Sequence, residues 1–276
     1  MNLTSRTDPS GFRAFEHAGW RKVASGYHDH FESLTSQAVA PLLDAVGVRP
    51  GARFLDVATG PGYVAAAACR REAHVVGIDF SDSMVAEARR QCPEARFLVG
   101  DAEDLPFPDG GFDAVGTNFG LLHLAQPEKA LREMYRVLRL GGRAGFAVWR
   151  KPEEAVGFGI ILRSIETYGD LNAALPAGPP FFRFSDPEEC CRVLLSAGFR
   201  NPEVLPIPQV WRLRSPDALA EAMLAGTVRT GGLLRAQSRE ALPAILAAIR
   251  DGVRAYENNG VFEIPMPAIL ASAAKA

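Results

Sequence analysis

The sequence predicts a doubly wound α/β fold, a mostly parallel sheet with helices on both faces, and three observations carry that prediction. Short apolar runs alternate with helix-like stretches from about residue 53 to Trp149, the order that a parallel sheet with crossover helices requires. The first run, Phe54-Leu55-Asp56-Val57, passes through Ala58-Thr59-Gly60-Pro61-Gly62 straight into an Ala-rich stretch, so this unit reads strand, tight turn, helix. The next two runs each end in an aspartate, Asp79 and Asp101, at the strand ends where open α/β sheets bind their ligands.

The elements follow in order. Residues 1–10 are polar and expected to be mobile. Residues 12–46 read as mainly helical, with Trp20, Tyr27 and Phe31 among the larger side chains, and 47–51 turn the chain into the first strand. Gly60 and Gly62 let the backbone turn sharply and let a ligand approach without meeting a Cβ atom. Val75-Val76-Gly77-Ile78 is the second strand and 82–90 the helix after it. Strands are expected at 96–100 and 112–115, the latter after the turn Pro108-Asp109-Gly110-Gly111. A helix over 127–140 stops at Gly141-Gly142, and a fifth strand covers 143–149. A helix over 187–197 ends at Gly198, a sixth strand lies within 203–214, and helices over 216–225 and 239–256 flank Gly231-Gly232. The whole chain, 1–276, reads as a single domain, with N-terminal helices at 12–48, a ligand-binding core at 50–150, and insertions at 151–184 and 215–262 folding as a cap over the active-site end. Gly157, Gly159, Gly178, Gly231 and Gly232 are expected to give that cap permissive backbone positions at which it moves.

Composition sets broad limits. Hydrophobic residues at 47% and charged residues at 22% are ordinary for a soluble globular protein, and 276 residues bury a full core. A formal net charge of −2 argues against a nucleic-acid or anionic-membrane binder. No apolar run is long enough to span a bilayer, and no basic-then-apolar leader pattern is expected at the N-terminus. Cys69, Cys92, Cys190 and Cys191 show no C-x-x-C spacing and no paired-histidine pattern, which predicts a reduced, cytoplasmic chain without a metal site. Cys190-Cys191 lies in an amphipathic stretch and reads as packing. Arg70-Arg71 and Arg89-Arg90 sit at predicted helix ends, where they complement the negative terminus.

Two cofactor classes fit the first strand–turn–helix unit. Gly60, Gly62 and Ala65 satisfy the dinucleotide pattern G-x-G-x-x-A, with Asp79 at the distance expected of a ribose-binding acid. The ordered set is more specific: Asp56 to Gly62, then Gly77-Ile78-Asp79-Phe80-Ser81, then Gly100-Asp101-Ala102. That set resembles a class I S-adenosylmethionine (SAM)-dependent methyltransferase of the small-molecule branch that includes the ubiquinone and menaquinone enzymes. The resemblance is close over 50–150 and loose elsewhere. It departs at Ala58, where the first loop glycine is usual; an alanine is tolerable there if its φ is negative.

The resemblance implies a Rossmann-like seven-stranded sheet whose last strand, 268–273, is antiparallel. It implies that Asp79 takes the ribose hydroxyls, with Phe80, Ser81 and Met84 beside it, and that Asp101 and Ala102 read the adenine edge. Asp79 as a cap on the following helix is the rival reading. Ala58, Thr59, Gly60 and Gly62 would pack on the methionyl tail near a helix N-terminus that favours its carboxylate. Asp56 would offset the ammonium, Asn118 and Phe119 would lie near the transferring methyl, and the face of Tyr27 near the sulfonium. His123 is the best placed general base, with His28 and His30 as alternatives; His74 begins a strand at the wrong end and His17 is expected at the surface. Phe158, Tyr168, Phe181, Phe182, Phe184, Trp211 and Met223 supply an apolar acceptor pocket. The expected activity is methyl transfer from SAM to a small, fairly apolar metabolite, leaving S-adenosylhomocysteine (SAH), by a monomer or homodimer that binds neither nucleic acid nor membrane. An NAD-dependent oxidoreductase, or a protein that keeps SAM and transfers nothing, are the alternatives.

Overall fold

A computed structural model describes residues 8–276. At its centre β1 (Arg53–Val57) pairs in parallel with β2 (His74–Asp79) on one side and β4 (Phe112–Asn118) on the other. β3 (Arg96–Val99) joins β2, and β5 (Leu138–Trp149) joins β4, again in parallel. β10 (Ala268–Ala274) then lies antiparallel between β5 and β6 (Arg200–Ile207), giving the order β3-β2-β1-β4-β5-β10-β6. Strand order reverses between β1 and β4, which opens a crevice at the carboxyl ends of these two strands. Phe54 to Val57 are all buried, as a central strand covered on both faces requires. Pro202 and Pro206 fall on β6, the edge, where a missing N–H costs no ladder bond.

Three helices fall where the sequence placed them: α3 (Tyr63–Arg70), α4 (Asp82–Gln91) and α7 (Pro187–Ser196). Ser81, not Asp79, caps α4 through Met84 N. α1 (Pro9–Thr35) begins earlier than expected, because Asp8 accepts Ser10 N and Pro9 suits the first helical turn. Residues 1–7 of the segment expected to be mobile lie outside the described residues. α2 (Val39–Ala45) completes the N-terminal layer.

Four expectations are corrected. α5 (Pro127–Val137) ends before Leu140: Leu138 pairs with Phe112, and Arg139 bonds Asp113, so tertiary pairing overrides the helical pattern of Leu138-Arg139-Leu140. The region 203–214 holds two strands in different sheets, since β7 (Val210–Leu213) leaves the main sheet for β9 (Val261–Pro265) and β8 (Glu257–Asn258). Residues 151–184 include a helix, α6 (Val156–Tyr168), that the prolines and aromatics around it masked. Gly231 and Gly232 lie inside α9 (Arg229–Arg235), not between helices.

Four of the five glycines expected to be permissive, all but Gly232, sit in close packing. A Cβ at Gly231 would stand 2.4 Å from Met223 O of α8 (Ala218–Gly226), and one at Gly157 would stand 2.7 Å from Met266 Sδ. Gly159 and Gly178 are equally tight, against Pro152 O and the Phe12 ring. α10 (Leu242–Arg254) packs on both α6 and α8, and α8 packs on both α1 and α9, so α1, α6, α8, α9 and α10 form one layer.

Candidate active site

The cleft at the carboxyl ends of β1, β2 and β4 encloses about 1160 Å³, open solvent at its mouth included. Its floor is the turn after β1. There Asp56 is buried; its Oδ2 accepts Thr59 Oγ1 at 2.6 Å and Ala65 N at 3.1 Å, while Oδ1 is buried with no partner among the described residues. Asn118, the last residue of β4, donates through Nδ2 to Thr35 O at 3.0 Å, and its Oδ1 is likewise buried and unpartnered. Both side chains line the cleft. Two lone acceptor oxygens buried beside one another's strand ends call for a donor, since such a group left unmade costs about 1–3 kcal/mol. A ligand ammonium is such a donor.

Asp79 ends β2 and grips the turn from the other side. Its Oδ2 accepts Gly60 N and its Oδ1 accepts Ser81 N, both at 2.9 Å, leaving further lone pairs for hydroxyls. Burial pushes the Asp56 carboxyl up to about 7, against the bonds from Thr59 and Ala65. Burial likewise pushes Asp79 up to about 6, against the Ser81 and Gly60 N–H groups and the nearby His123 and His17. These carboxyls keep protons that the unfolded chain loses near pH ~4. Their contribution to the unliganded fold is therefore full below about pH 4 and lost as pH rises through about 6 to 7. A cationic ligand favours the deprotonated form of Asp56, so its affinity should rise several-fold between about pH 5.5 and 7.5 while the unliganded melting temperature falls. Calorimetry and thermal melts across that range test both; a pH-independent affinity would remove Asp56 from the cation site.

Ala58 has φ +53°, not the negative φ at which an alanine is tolerable there, and Phe119 has φ +59°. Left-handed backbone costs a non-glycine residue about 1–2 kcal/mol, and both strained residues line the cleft, as strain at functional sites does. Room for the Ala58 side chain in this conformation comes from Gly120. A Cβ on Gly120 would stand 2.5 Å from the Ala58 Cβ and 2.5 Å from Thr117 Oγ1. The loop glycine has in effect moved across the cleft. Gly120→Ala should therefore lose about 1–3 kcal/mol by overpacking, and Ala58→Gly should restore part of it; additive thermal effects of the two would contradict this coupling.

The remaining sequence-predicted residues divide. Tyr27, Thr59, Gly60, Phe80, Met84, Asp101, Ala102 and Phe119 line the cleft. Burial pushes the Tyr27 phenol up to about 12, so it stays neutral, and its ring stacks on Phe31. Asp101 is paired with Arg13 of α1, which also reaches the buried Glu103. Ser81 and Gly62 do not line the cleft: Ser81 caps α4, and Gly62, at φ +87°, opens α3 against Ala88 and Phe97. His28 and His30 also lie outside it, off the stripe of α1 that faces the cleft; His28 bonds Tyr63 OH at 2.8 Å. His17 is not a free surface group, since its ring packs 5.3 Å from Phe80.

His123 does line the cleft, in a 3-10 turn (Leu121–His123) just beyond β4. Its ring belongs to a continuous aromatic wall. Phe119 stacks on Trp149 at 3.9 Å, Trp149 meets Phe158 at 5.7 Å, and Phe158 meets Phe181 at 5.6 Å. Phe181 then reaches His123 at 5.9 Å, His123 meets Trp20 at 4.8 Å, and Trp20 meets Tyr27 at 5.3 Å. Of the seven residues expected in the acceptor pocket only Phe158 and Phe181 line the cleft. Trp211, Phe184 and Met223 are core, Phe182 packs behind Phe181, and Tyr168 is exposed. Trp20, Phe31, Trp149 and Arg229 take the missing places. Arg229 lies over Phe12 and Phe181; burial works against its charge and Glu16 works for it.

Residues 55–146 match the family model described as a methyltransferase domain. The chain is 34% identical to the demethylmenaquinone methyltransferase of Clavibacter sepedonicus over 187 residues, 61% of this chain and 71% of that protein. It is 47% identical to the enzyme of that name from Beutenbergia cavernae over 110 residues, 40% of this chain and 46% of that one; the chain spans about half the length of such relatives. A crystal structure of a putative methyltransferase from Bacillus halodurans shares the fold, with TM-score 0.56 and 20% identity over 86% of this chain and 98% of that one. Among the described residues no helix is long and apolar enough to cross a membrane, and no cluster of potential metal ligands occurs. The chain belongs to the class I SAM-dependent methyltransferases, in the branch that includes the ubiquinone and menaquinone enzymes.

Proposed function

We propose that this protein transfers the methyl group of SAM to a small, fairly apolar metabolite, of the quinone type for which its relatives are named. The observation that carries the reading is the unpartnered pair Asp56 Oδ1 and Asn118 Oδ1, in one cleft with Asp79 and Asp101. In this reading Asp56 and Asn118 hold the ammonium, Asp79 the ribose, Asp101 and Ala102 the adenine edge, and Phe80 and Met84 its faces. When bound, SAM supplies an electrophilic methyl group beside a positive sulfur. The faces of Tyr27 and Phe119 favour that charge by about 0.5–2 kcal/mol. The aromatic wall from Phe119 to Trp20 holds the acceptor and excludes water, so alignment supplies much of the acceleration. His123 takes a proton from acceptors that carry one at working pH. The family assignment favours SAM over the NAD reading that the glycine pattern alone left open.

The test is incubation with methyl-labelled SAM and a panel of apolar hydroxylated and amino-substituted ring compounds. Label should enter an extractable product. Tight SAM retention with no product across the panel would favour a protein that holds SAM for another purpose.

A further inference from the structure

The functional reading above leaves Glu16 without a role. Glu16 lies on α1, fully buried, in a stripe that is otherwise apolar or aromatic. A leucine would fill such a position, and a carboxylate there must be held by donors. Its Oε2 accepts Trp20 Nε1 at 2.9 Å and stands 3.1 Å from His123 Nδ1, while Oε1 has no partner among the described residues. Trp20 also packs edge-on against the imidazole at 4.8 Å, so one turn of α1 fixes both the ring's plane and one of its nitrogens. Asp79 and His17 are the other titratable groups of this neighbourhood, and Arg229 is its cation.

A carboxylate only accepts, so the imidazole nitrogen that faces it must carry the proton. In the neutral ring the other nitrogen is then bare. Among the described residues His123 Nε2 has no hydrogen-bond partner, and the residue lines the cleft. We propose that Glu16 is a positioning residue: it fixes the Nδ1–H tautomer of His123 and leaves Nε2 free to receive the acceptor's proton. This rests on the methyl-transfer reading. In the step, the acceptor's X–H bond breaks, its proton goes to Nε2, and the bonding pair stays on the acceptor as the nucleophile. The imidazolium so formed lies against the Glu16 carboxylate and returns its proton to water after the product leaves. Glu16 itself does not touch the acceptor, because it does not line the cleft.

The experiment is NMR of the full chain with 15N-labelled histidine, saturated with SAH, at a pH where the imidazoles are neutral, with a His123→Gln spectrum to assign the signal. The wild-type ring should show a protonated Nδ1 and a bare Nε2. In Glu16→Leu most of the population should move to the Nε2–H form that free imidazole side chains favour in water. In Trp20→Phe, which keeps the carboxylate, the tautomer should not change. The SAH dissociation constant of Glu16→Leu should stay within about twofold of wild type. An Nε2–H tautomer in the wild type, or an unchanged one in Glu16→Leu, overturns the proposal, and the wild-type result decides alone if that variant does not fold. Failure of SAH to bind the wild type would instead overturn the methyl-transfer reading.

Discussion

His123→Ala should reduce turnover by about 10²–10⁴, the usual contribution of a positioned base, for any acceptor protonated at working pH. SAH affinity should hardly change. The residue stands in the aromatic wall between Phe181 and Trp20. His28→Ala and His30→Ala are the comparison. Both lie outside the cleft, and both variants should keep near-normal rates. Steady-state kinetics with a saturating acceptor reads this directly. Full activity in His123→Ala would mean that alignment alone carries the transfer and that the acceptor reaches the site as a ready nucleophile.

Asp79→Ala should weaken SAM by about 1.5–3 kcal/mol, roughly tenfold or more, through the loss of charged acceptors for the ribose. It should also destabilise the protein. Asp79 is buried at the strand end and accepts Gly60 N and Ser81 N, so the variant leaves two N–H groups without partners and loosens the turn. A further loss of about 1–3 kcal/mol in fold stability is the expected scale. Calorimetry with SAH, run well below the variant's melting temperature, separates the two effects. An unchanged dissociation constant with a lower melting temperature would make Asp79 a loop anchor only.

The sheet was legible because its signals are local. An apolar run, a small-residue turn and an aspartate at the strand end recur at β1, β2 and β3, and each aspartate came out at the cleft. What failed depends on contacts between distant segments. The end of α5 is set by Leu138 pairing with Phe112, and the conformation of Ala58 is tolerated because residue 120 is a glycine. Neither is written in its own neighbourhood. The aromatic residues of the second half divide between core and cleft, because only packing decides which ring faces the cleft. One signal was present and unused. Phe12, Glu16, Trp20, Val23, Tyr27, Phe31 and Leu34 form a helical stripe at spacings of three, four and seven. A single carboxylate on an apolar stripe marks a buried charge and hence a partner.

The central claim is that the cleft at the ends of β1, β2 and β4 is a SAM site, and titration calorimetry of the purified chain with SAM, SAH and NAD tests it most directly. SAM and SAH should each bind at one site per chain, and NAD should give no measurable heat. NAD binding more tightly than SAM would contradict the claim, and with it the roles given to Asp56, Asp79 and Asp101.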